Sequence, residues 1–276
     1  MSIFRKALQL MSWLSIDVAL GAMAGMFFFE KLLHAQLHWP AYLLLGLAVW
    51  SIYTLDHLLD VRGKYLPLSP RRAFHLAYWK TLGISLGIAV LLGMIGAFWW
   101  FGWGKELQLT LCLVLLILGS KLLIRRAGPG WMKELSIAMF YVVGIVWLPL
   151  LRANGLDLLW QDLVFLPAYI GLAFLNLLML SFLDQDEDQQ AGFFSAAWTL
   201  SPLLLIQSIR NLAFALIFIS LAGFVLLSSF YRPFACVLLL MALIHYLTFF
   251  HSGLSPEQKR MRMEISFVLP SLLLFL

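Results

Sequence analysis

Two pairs of aspartates have the residue type and the spacing to do chemistry in this chain. Asp56 and Asp60 are four residues apart and are called the first motif, and Asp184 and Asp188, also four apart, are called the second motif. Residues at this spacing lie on one face of a helix, with about 5–6 Å between Cβ atoms. Mg²⁺ is usually held by a few carboxylates while substrate phosphates complete its coordination. The two motifs therefore predict a Mg²⁺ site that binds a diphosphate.

The elements that must position these acids are membrane helices. The chain is 62% hydrophobic and only 12% charged, which is typical of proteins that cross a bilayer many times. A span needs about 20 apolar residues, and the first motif ends the second predicted span while the second motif ends the sixth. We expect an all-α, multi-pass transmembrane bundle that forms a single membrane domain over residues 1–276. It has about nine spans, at 8–29, 40–59, 78–101, 106–124, 134–151, 162–183, 205–229, 233–250 and 264–276.

The distribution of cations predicts how the bundle lies in the membrane. If the N-terminus is cytoplasmic, all but four of the 19 Lys and Arg residues fall in cytoplasmic segments, as the positive-inside rule requires. The four on the outer side are Lys31, Lys105, Arg152 and Arg232. Both motifs are then cytoplasmic, and the cell (inner) membrane is the expected location. This topology accounts for the net charge of +5, so the charge gives no reason to expect a nucleic acid partner.

The simplest alternative is that the acids are ordinary solvated residues beyond a span. The C-terminus of a helix carries partial negative charge, and carboxylates there are unfavourable by some tenths of a kcal/mol each. Like charges four residues apart add a similar penalty. Both motifs place carboxylates at the C-terminal end of a helix on the same membrane face. A bound cation that compensates their charge is therefore the better interpretation.

Together these features resemble the UbiA-type intramembrane prenyltransferase superfamily over nearly the whole chain. Members have nine transmembrane helices, an N-x-x-x-D-x-x-x-D motif after the second and a D-x-x-x-D motif after the sixth. Asp56 and Asp60 match the first, and D-Q-D-E-D at 184–188, followed by Gly192, is similar to the second. One position departs from the pattern, because Ile52 stands where the first motif of the family has asparagine.

The resemblance implies a transferase mechanism. Mg²⁺ held by both acid pairs would bind a polyprenyl diphosphate and promote loss of diphosphate, and the allylic cation would alkylate a small, aromatic acceptor. The catalytic and metal-binding residues would be Asp56, Asp60, Asp184 and Asp188. Basic residues near the motifs could neutralise the leaving diphosphate, although the positive-inside rule alone explains most of them. The candidates are Lys64, Arg71, Arg72, Arg125 and Lys133.

Two further polar residues are candidates for substrate binding. Asp17 lies about 15 Å into the first predicted span, at 1.5 Å per residue, where it would orient the acceptor or accept its proton. The alternative is a structural hydrogen bond through Ser12, Ser15 or a neighbouring span. Asn176 lies two helical turns before Asp184 and shares its face, so it lines the pocket or joins two helices.

Two other functions remain open at this stage. Acids in membrane proteins also mark ion pathways, so a transporter of divalent cations is one rival, although only Asp17 lies deep in a span. The other is a family member that binds prenyl diphosphate or isoprenoid without turnover, which Ile52 favours. His57, between the first-motif acids, is expected to be a solvated histidine at the interface.

Overall fold

The computed structural model describes residues 3–61, 69–127, 130–153, 160–186 and 196–275. Helices occupy nearly all of this part of the chain and it contains no strand, which confirms the all-α prediction. The α-helices, numbered in chain order, are α1 Ile3–Trp13, α2 Ile16–Leu32, α3 Trp39–Asp60, α4 Pro70–Ala77, α5 Trp79–Phe101, α6 Lys105–Ala127, α7 Gly130–Arg152, α8 Trp160–Leu183, α9 Ala196–Thr199, α10 Pro202–Leu226, α11 Arg232–Phe250 and α12 Pro256–Ser266. A 3-10 helix over Leu269–Phe275 follows α12.

Six of the described helices are long and apolar enough to cross a membrane, namely α3, α5, α7, α8, α10 and α11. The helices α1 and α2 add a seventh if they form one span bent by 75° at their junction. These helices fit a multi-pass protein in a lipid bilayer. The structure does not confirm nine spans. The predicted fourth span coincides with α6, whose side chains are described only in part.

The ninth predicted span takes a different form from the one expected. Residues 264–276 do not continue one α-helix, because α12 ends at Ser266 and the last turns are 3-10. Seven residues at about 2 Å each reach roughly 14 Å, which is half the hydrocarbon thickness. The 3-10 helix packs against α2 and α11. This segment therefore packs into the bundle as a short 3-10 helix in place of the α-helical span that was predicted.

Local sequence sets where several helices begin. Proline needs no N–H partner in the first turn of a helix and has a fixed helical φ, so it marks helix starts. The N-terminus of α12 also carries a capping box, in which Ser255 Oγ accepts from the N–H of Gln258 and Gln258 Oε1 accepts from the N–H of Ser255. Five helices have proline in the first turn: Pro40, Pro70, Pro202, Pro233 and Pro256.

The core forms where α2, α7, α8 and α11 meet. Two glycines of α2 permit this close packing. A Cβ on Gly25 would lie 2.7 Å from the hydroxyl oxygen of Tyr169 on α8, and a Cβ on Gly21 would lie 2.8 Å from the Cβ of Phe267. Phe267 follows α12 directly, so its contact at Gly21 fixes α12 beside α2 and close to the end of α8.

Candidate functional site

The ends of α3 and α8 that carry the two motifs are linked through α4 and α12, at an end of the bundle that we call the motif end. Two arginines join them. Arg260 of α12 donates from Nη2 to both carboxylate oxygens of Asp184. Arg71 of α4 places its Nη2 2.6 Å from Nε2 of His57, which belongs to α3. Arg71 also interacts electrostatically with Arg260 and Asp184. We call Arg71, Arg260, Asp184 and His57, together with the side chains packed on them, the charged cluster.

His57 of α3 and His75 of α4 stack edge to face in this cluster, with ring centroids 4.8 Å apart. Ser15 Oγ lies 3.2 Å from Nε2 of His57, and the backbone oxygen of Arg71 lies 2.9 Å from Nδ1 of His75. The prediction that His57 is solvated is wrong, because it faces the interior of the bundle and contacts Arg71. Burial lowers the pKa of His75 on α4, which keeps its ring neutral at pH 7.

Two buried carboxylates lie on the inner side of the cluster. Glu264 is 8% exposed and accepts a hydrogen bond of 3.2 Å from Ser12 Oγ. Asp17 is 3% exposed and interacts electrostatically with both Glu264 and Arg71. These contacts place the C-terminal helix α12 against the junction of α1 and α2.

Asp17 has a local environment that the predicted continuous span 8–29 did not anticipate. The helix of this predicted span is interrupted at Ser15, which has a left-handed φ of 55°. Asp17 therefore lies in the first turn of α2, where free N–H groups and the positive end of the helix dipole favour a carboxylate. Its Oδ1 accepts from the N–H of Val18 at 2.9 Å. Ser12 and Ser15 were the expected partners of Asp17. Ser12 instead donates to Glu264, and Ser15 lies close to His57.

The first motif lies on a different face of α3 from the cluster. Asp56 is exposed and Asp60 is half-buried, and Ile52 on the same face is 55% exposed. His57 is rotated from Asp56 by about 100°, the turn per residue of an α-helix, which points it to Arg71. Within the described ranges, no three side chains of His, Cys, Asp or Glu come together as metal ligands. Asp188 lies outside the described residues, so the second motif is described only as far as Asp186.

The remaining predicted binding residues have varied positions. Arg72 is half-buried on α4, and Lys133 is exposed near the start of α7. Asn176 is buried on α8, and its Oδ1 has no hydrogen-bond partner in the part of the chain that the structure describes. Lys64 and the side chain of Arg125 lie outside the described residues. Among the basic candidates whose side chains the structure describes, Arg71 contacts His57 in the charged cluster, and Arg72 interacts electrostatically with His57.

Sequence reasoning missed Arg260 and Glu264. Arg260 lies in the short polar segment after the eighth predicted span, where the cations counted only as evidence for orientation, and Glu264 is the first residue of the ninth predicted span. A signal was present, because Arg260 and Glu264 are four residues apart and thus share a face of α12. Glu264 also borders an apolar run, which it precedes, whereas the motif acids follow theirs.

The donor chemistry at Asp184 suits a cation. Both of its carboxylate oxygens already bind a guanidinium, so this position attracts positive charge. Carboxylate oxygens are also the ligands that Mg²⁺ prefers. The second motif therefore fits the predicted metal in ligand type, and Arg260 competes for the same oxygens.

No protein-family model matches this chain, and neither a characterised protein nor a solved structure is similar to it. What the chain does must therefore be argued from its own residues.

Proposed function

We propose that this protein is an intramembrane, Mg²⁺-dependent prenyltransferase with a UbiA-like bundle of nine helices. It transfers the prenyl group of a polyprenyl diphosphate to a small aromatic acceptor. The observation that carries the proposal is the charged cluster at the motif end, in which Arg71 and Arg260 lie with Asp184 and His57 between α3 and α8. A diphosphate site needs carboxylates for the metal and guanidinium groups for the phosphates in one place.

Each part of this site has a distinct task. The acids of the two motifs, Asp56, Asp60, Asp184 and Asp188, would hold Mg²⁺, whose chemistry is to neutralise the negative charge that develops on the leaving diphosphate. Arg71 binds the phosphate oxygens because a guanidinium can make two parallel hydrogen bonds to them. His57 holds the guanidinium of Arg71 in position, and the ring of His57 is in turn held by Ser15.

A bilayer location suits the donor. The charged head would lie at the motif end, which the cation distribution assigns to the cytoplasmic face of the cell membrane together with the N-terminus. The isoprenoid tail would lie against apolar helices, where the exclusion of water protects an allylic cation from hydrolysis. Asp17 and Asn176 are buried polar side chains that would contact the acceptor.

The decisive experiment uses the purified protein in lipid nanodiscs with Mg²⁺, labelled prenyl diphosphates of several lengths and a panel of aromatic acceptors. Release of diphosphate coupled to formation of a prenylated product is the expected result. The variants Asp56→Ala and Asp184→Ala should lose both Mg²⁺-dependent donor binding and turnover. Asp162→Asn is the matched control, because Asp162 lies at the opposite end of α8 and should leave turnover unchanged.

The same experiment separates the rival functions. Donor binding without diphosphate release, for every donor and acceptor, would make the protein a non-catalytic prenyl diphosphate binder, as Ile52 in the first motif favours. Flux of divalent cations in proteoliposomes, without donor binding, would make it a transporter. Donor binding that survives Asp56→Ala and Asp184→Ala would refute the assignment of the metal ligands.

A further inference from the structure

The helix α1 lies across the direction of the membrane spans. It meets α2 at an angle of 75°, and α2 packs beside α3 and α7, both of which are long enough to cross a membrane. The 17 residues of α2 reach about 26 Å at 1.5 Å per residue, close to the hydrocarbon thickness of about 30 Å. A span there does not need α1, which therefore lies close to the plane of the membrane surface at the motif end.

One side of α1 contacts the bundle and the other is exposed. Ser12 is buried and donates a hydrogen bond to Glu264 of α12. At about 100° per residue, Lys6, Ala7 and Leu10 lie on the side away from Ser12, and all three are exposed, Leu10 to 44%. Lys6 and Leu10 are four residues apart, so a cation and an apolar side chain are neighbours on this outer face.

The helix α4 has a similar outer face. Its His75 is buried against the bundle, whereas the next residue, Leu76, is 44% exposed. Tyr78 and Trp79, at the junction of α4 and α5, are more than half exposed, and the exposed Lys80 follows them. This helix therefore also presents apolar and aromatic side chains with a lysine close by.

The two helices are neighbours, and one of them leads into a membrane span. The ring centroid of Trp13 in α1 lies 5.5 Å from that of Phe74 in α4, which lies 4.9 Å from that of Tyr78. After Tyr78 begins α5, a candidate span whose Ile84 and Ile88 are more than half exposed, as expected of a surface that faces lipid. Because aromatic residues and lysines at the start of a span lie at the depth of the headgroups, the outer faces of α1 and α4 lie at the bilayer surface.

The chemistry of these faces matches an anionic lipid surface. Leucines of an interfacial helix are stabilised when they enter the boundary of the hydrocarbon. A lysine beside them keeps its ammonium group in the headgroup layer, where the phosphates of anionic lipids attract it. Tyrosine and tryptophan favour the same depth, because their rings are apolar and their O–H and N–H groups can donate to lipid oxygens.

We propose that α1 and α4 lie side by side in the headgroup layer at the motif end and form a binding surface for anionic phospholipids. Lys6 and Lys80 bind the lipid phosphates. Leu10, Leu76 and Trp79 enter the boundary of the hydrocarbon. This surface belongs to neither acid motif, and the inference does not depend on the prenyltransferase proposal. Its consequence for the site is that α4, which holds an arginine of the charged cluster, is fixed by the membrane as well as by the bundle.

The test measures hydrogen exchange of the purified protein in two kinds of nanodisc, one of phosphatidylcholine alone and one of equal parts phosphatidylcholine and phosphatidylglycerol. The amides of α1 and α4 should exchange more slowly in the anionic discs. Lys6→Gln should reduce this protection about fivefold in α1 alone, and Lys80→Gln about fivefold in α4 alone, because each removes one cation from the surface. Lys6→Arg keeps the charge and should keep the protection. Arg262→Gln, which removes an exposed cation of α12 at the same end, should change neither helix.

The apolar contribution has variants of its own. Leu10→Ser should speed the exchange of α1 to the same extent in both kinds of nanodisc, since the insertion of leucine does not depend on lipid charge, and Leu76→Ser should do the same for α4. Both leucines are exposed in the protein, so these variants should keep its packing, and their unfolding midpoints check this. High salt should abolish the protection that depends on the lysines and leave the part that depends on the leucines.

Three results would overturn the proposal. Equal exchange of wild-type α1 and α4 in the two kinds of nanodisc would show that the lysines bind no lipid phosphate. Protection by the anionic lipid that survives both Lys6→Gln and Lys80→Gln would refute the assignment of the two lysines. Unchanged exchange in Leu10→Ser and Leu76→Ser would show that the leucines lie outside the membrane, in contact with solvent or with another protein. Each of these results leaves the proposed function standing, since diphosphate release is measured separately.

Discussion

Replacing Gly25 by alanine is expected to destabilise the bundle, and removing the hydroxyl of Tyr169 is expected to relieve most of the damage. A Cβ at position 25 would lie 2.7 Å from Tyr169 Oη, and 3.2 Å and 3.3 Å from two carbons of Ile145. The first distance is too short for any real Cβ, so the ring must move. It has little room, because Tyr169 is fully buried and packs against Phe28 and Phe29.

The expected size follows from two opposing effects. Overpacking a filled core costs about 1–3 kcal/mol, and exchanging glycine for alanine inside a helix regains about 0.5–1 kcal/mol. Gly25→Ala should therefore lower the free energy of unfolding by about 1–2 kcal/mol. Tyr169→Phe should be neutral or stabilising, because the hydroxyl has no hydrogen-bond partner among the described residues and an unsatisfied buried hydroxyl is unfavourable. In the Tyr169→Phe background, Gly25→Ala should cost less than about 1 kcal/mol.

Thermal unfolding in one detergent, measured for the four proteins of this double-mutant cycle, gives the coupling energy. A change of 1 kcal/mol shifts the midpoint by roughly 2–4 °C for a chain of this size class. Gly144→Ala on α7 is the control, because a Cβ there would meet no heavy atom within 4 Å. It should leave stability unchanged or raise it slightly. If Gly25→Ala is as stable as Gly144→Ala, or if Tyr169→Phe brings no relief, the close packing of α2 on α8 is refuted.

Two further perturbations test the elements around the site. Ser255→Ala removes the side-chain acceptor for the N–H of Gln258 at the start of α12. We expect the stability of α12 to fall by about 1 kcal/mol, which should be seen as faster hydrogen exchange confined to this helix. Unchanged exchange would contradict the role of this cap. Burial lowers the pKa of His75 below its ordinary value of 6.5, so the unfolded chain binds the proton first and stability should fall as the pH drops below about 6.5. Unfolding midpoints between pH 7.5 and 5.5 should show a shallower decline in His75→Gln than in the exposed control His251→Gln, and equal slopes would show that His75 is not the group responsible.

Several features of the protein follow from the sequence alone. Long apolar runs with few charges can only be satisfied in a bilayer as helices, because no water is present there to bind free backbone groups. The all-α membrane fold is therefore fixed by composition, and proline in the first turns sets several helix starts. The end of α8 at Leu183, directly before Asp184, was predicted because an apolar run gives way there to seven consecutive polar residues.

Tertiary structure decided which charges meet. Arg260 and Asp184 are 76 residues apart, and Ser12 and Glu264 are 252 apart. The periodicity of a helix tells which of its residues share a face, but it carries no information on the neighbour that the face will contact. The contact of Phe267 with Gly21, which brings the end of α12 beside α2, is likewise a matter of packing that no local pattern encodes. The sequence thus supplied the acids at the helix ends, and only the packing of α4 and α12 against them supplied the arginines, because electrostatic partners are chosen by proximity in space.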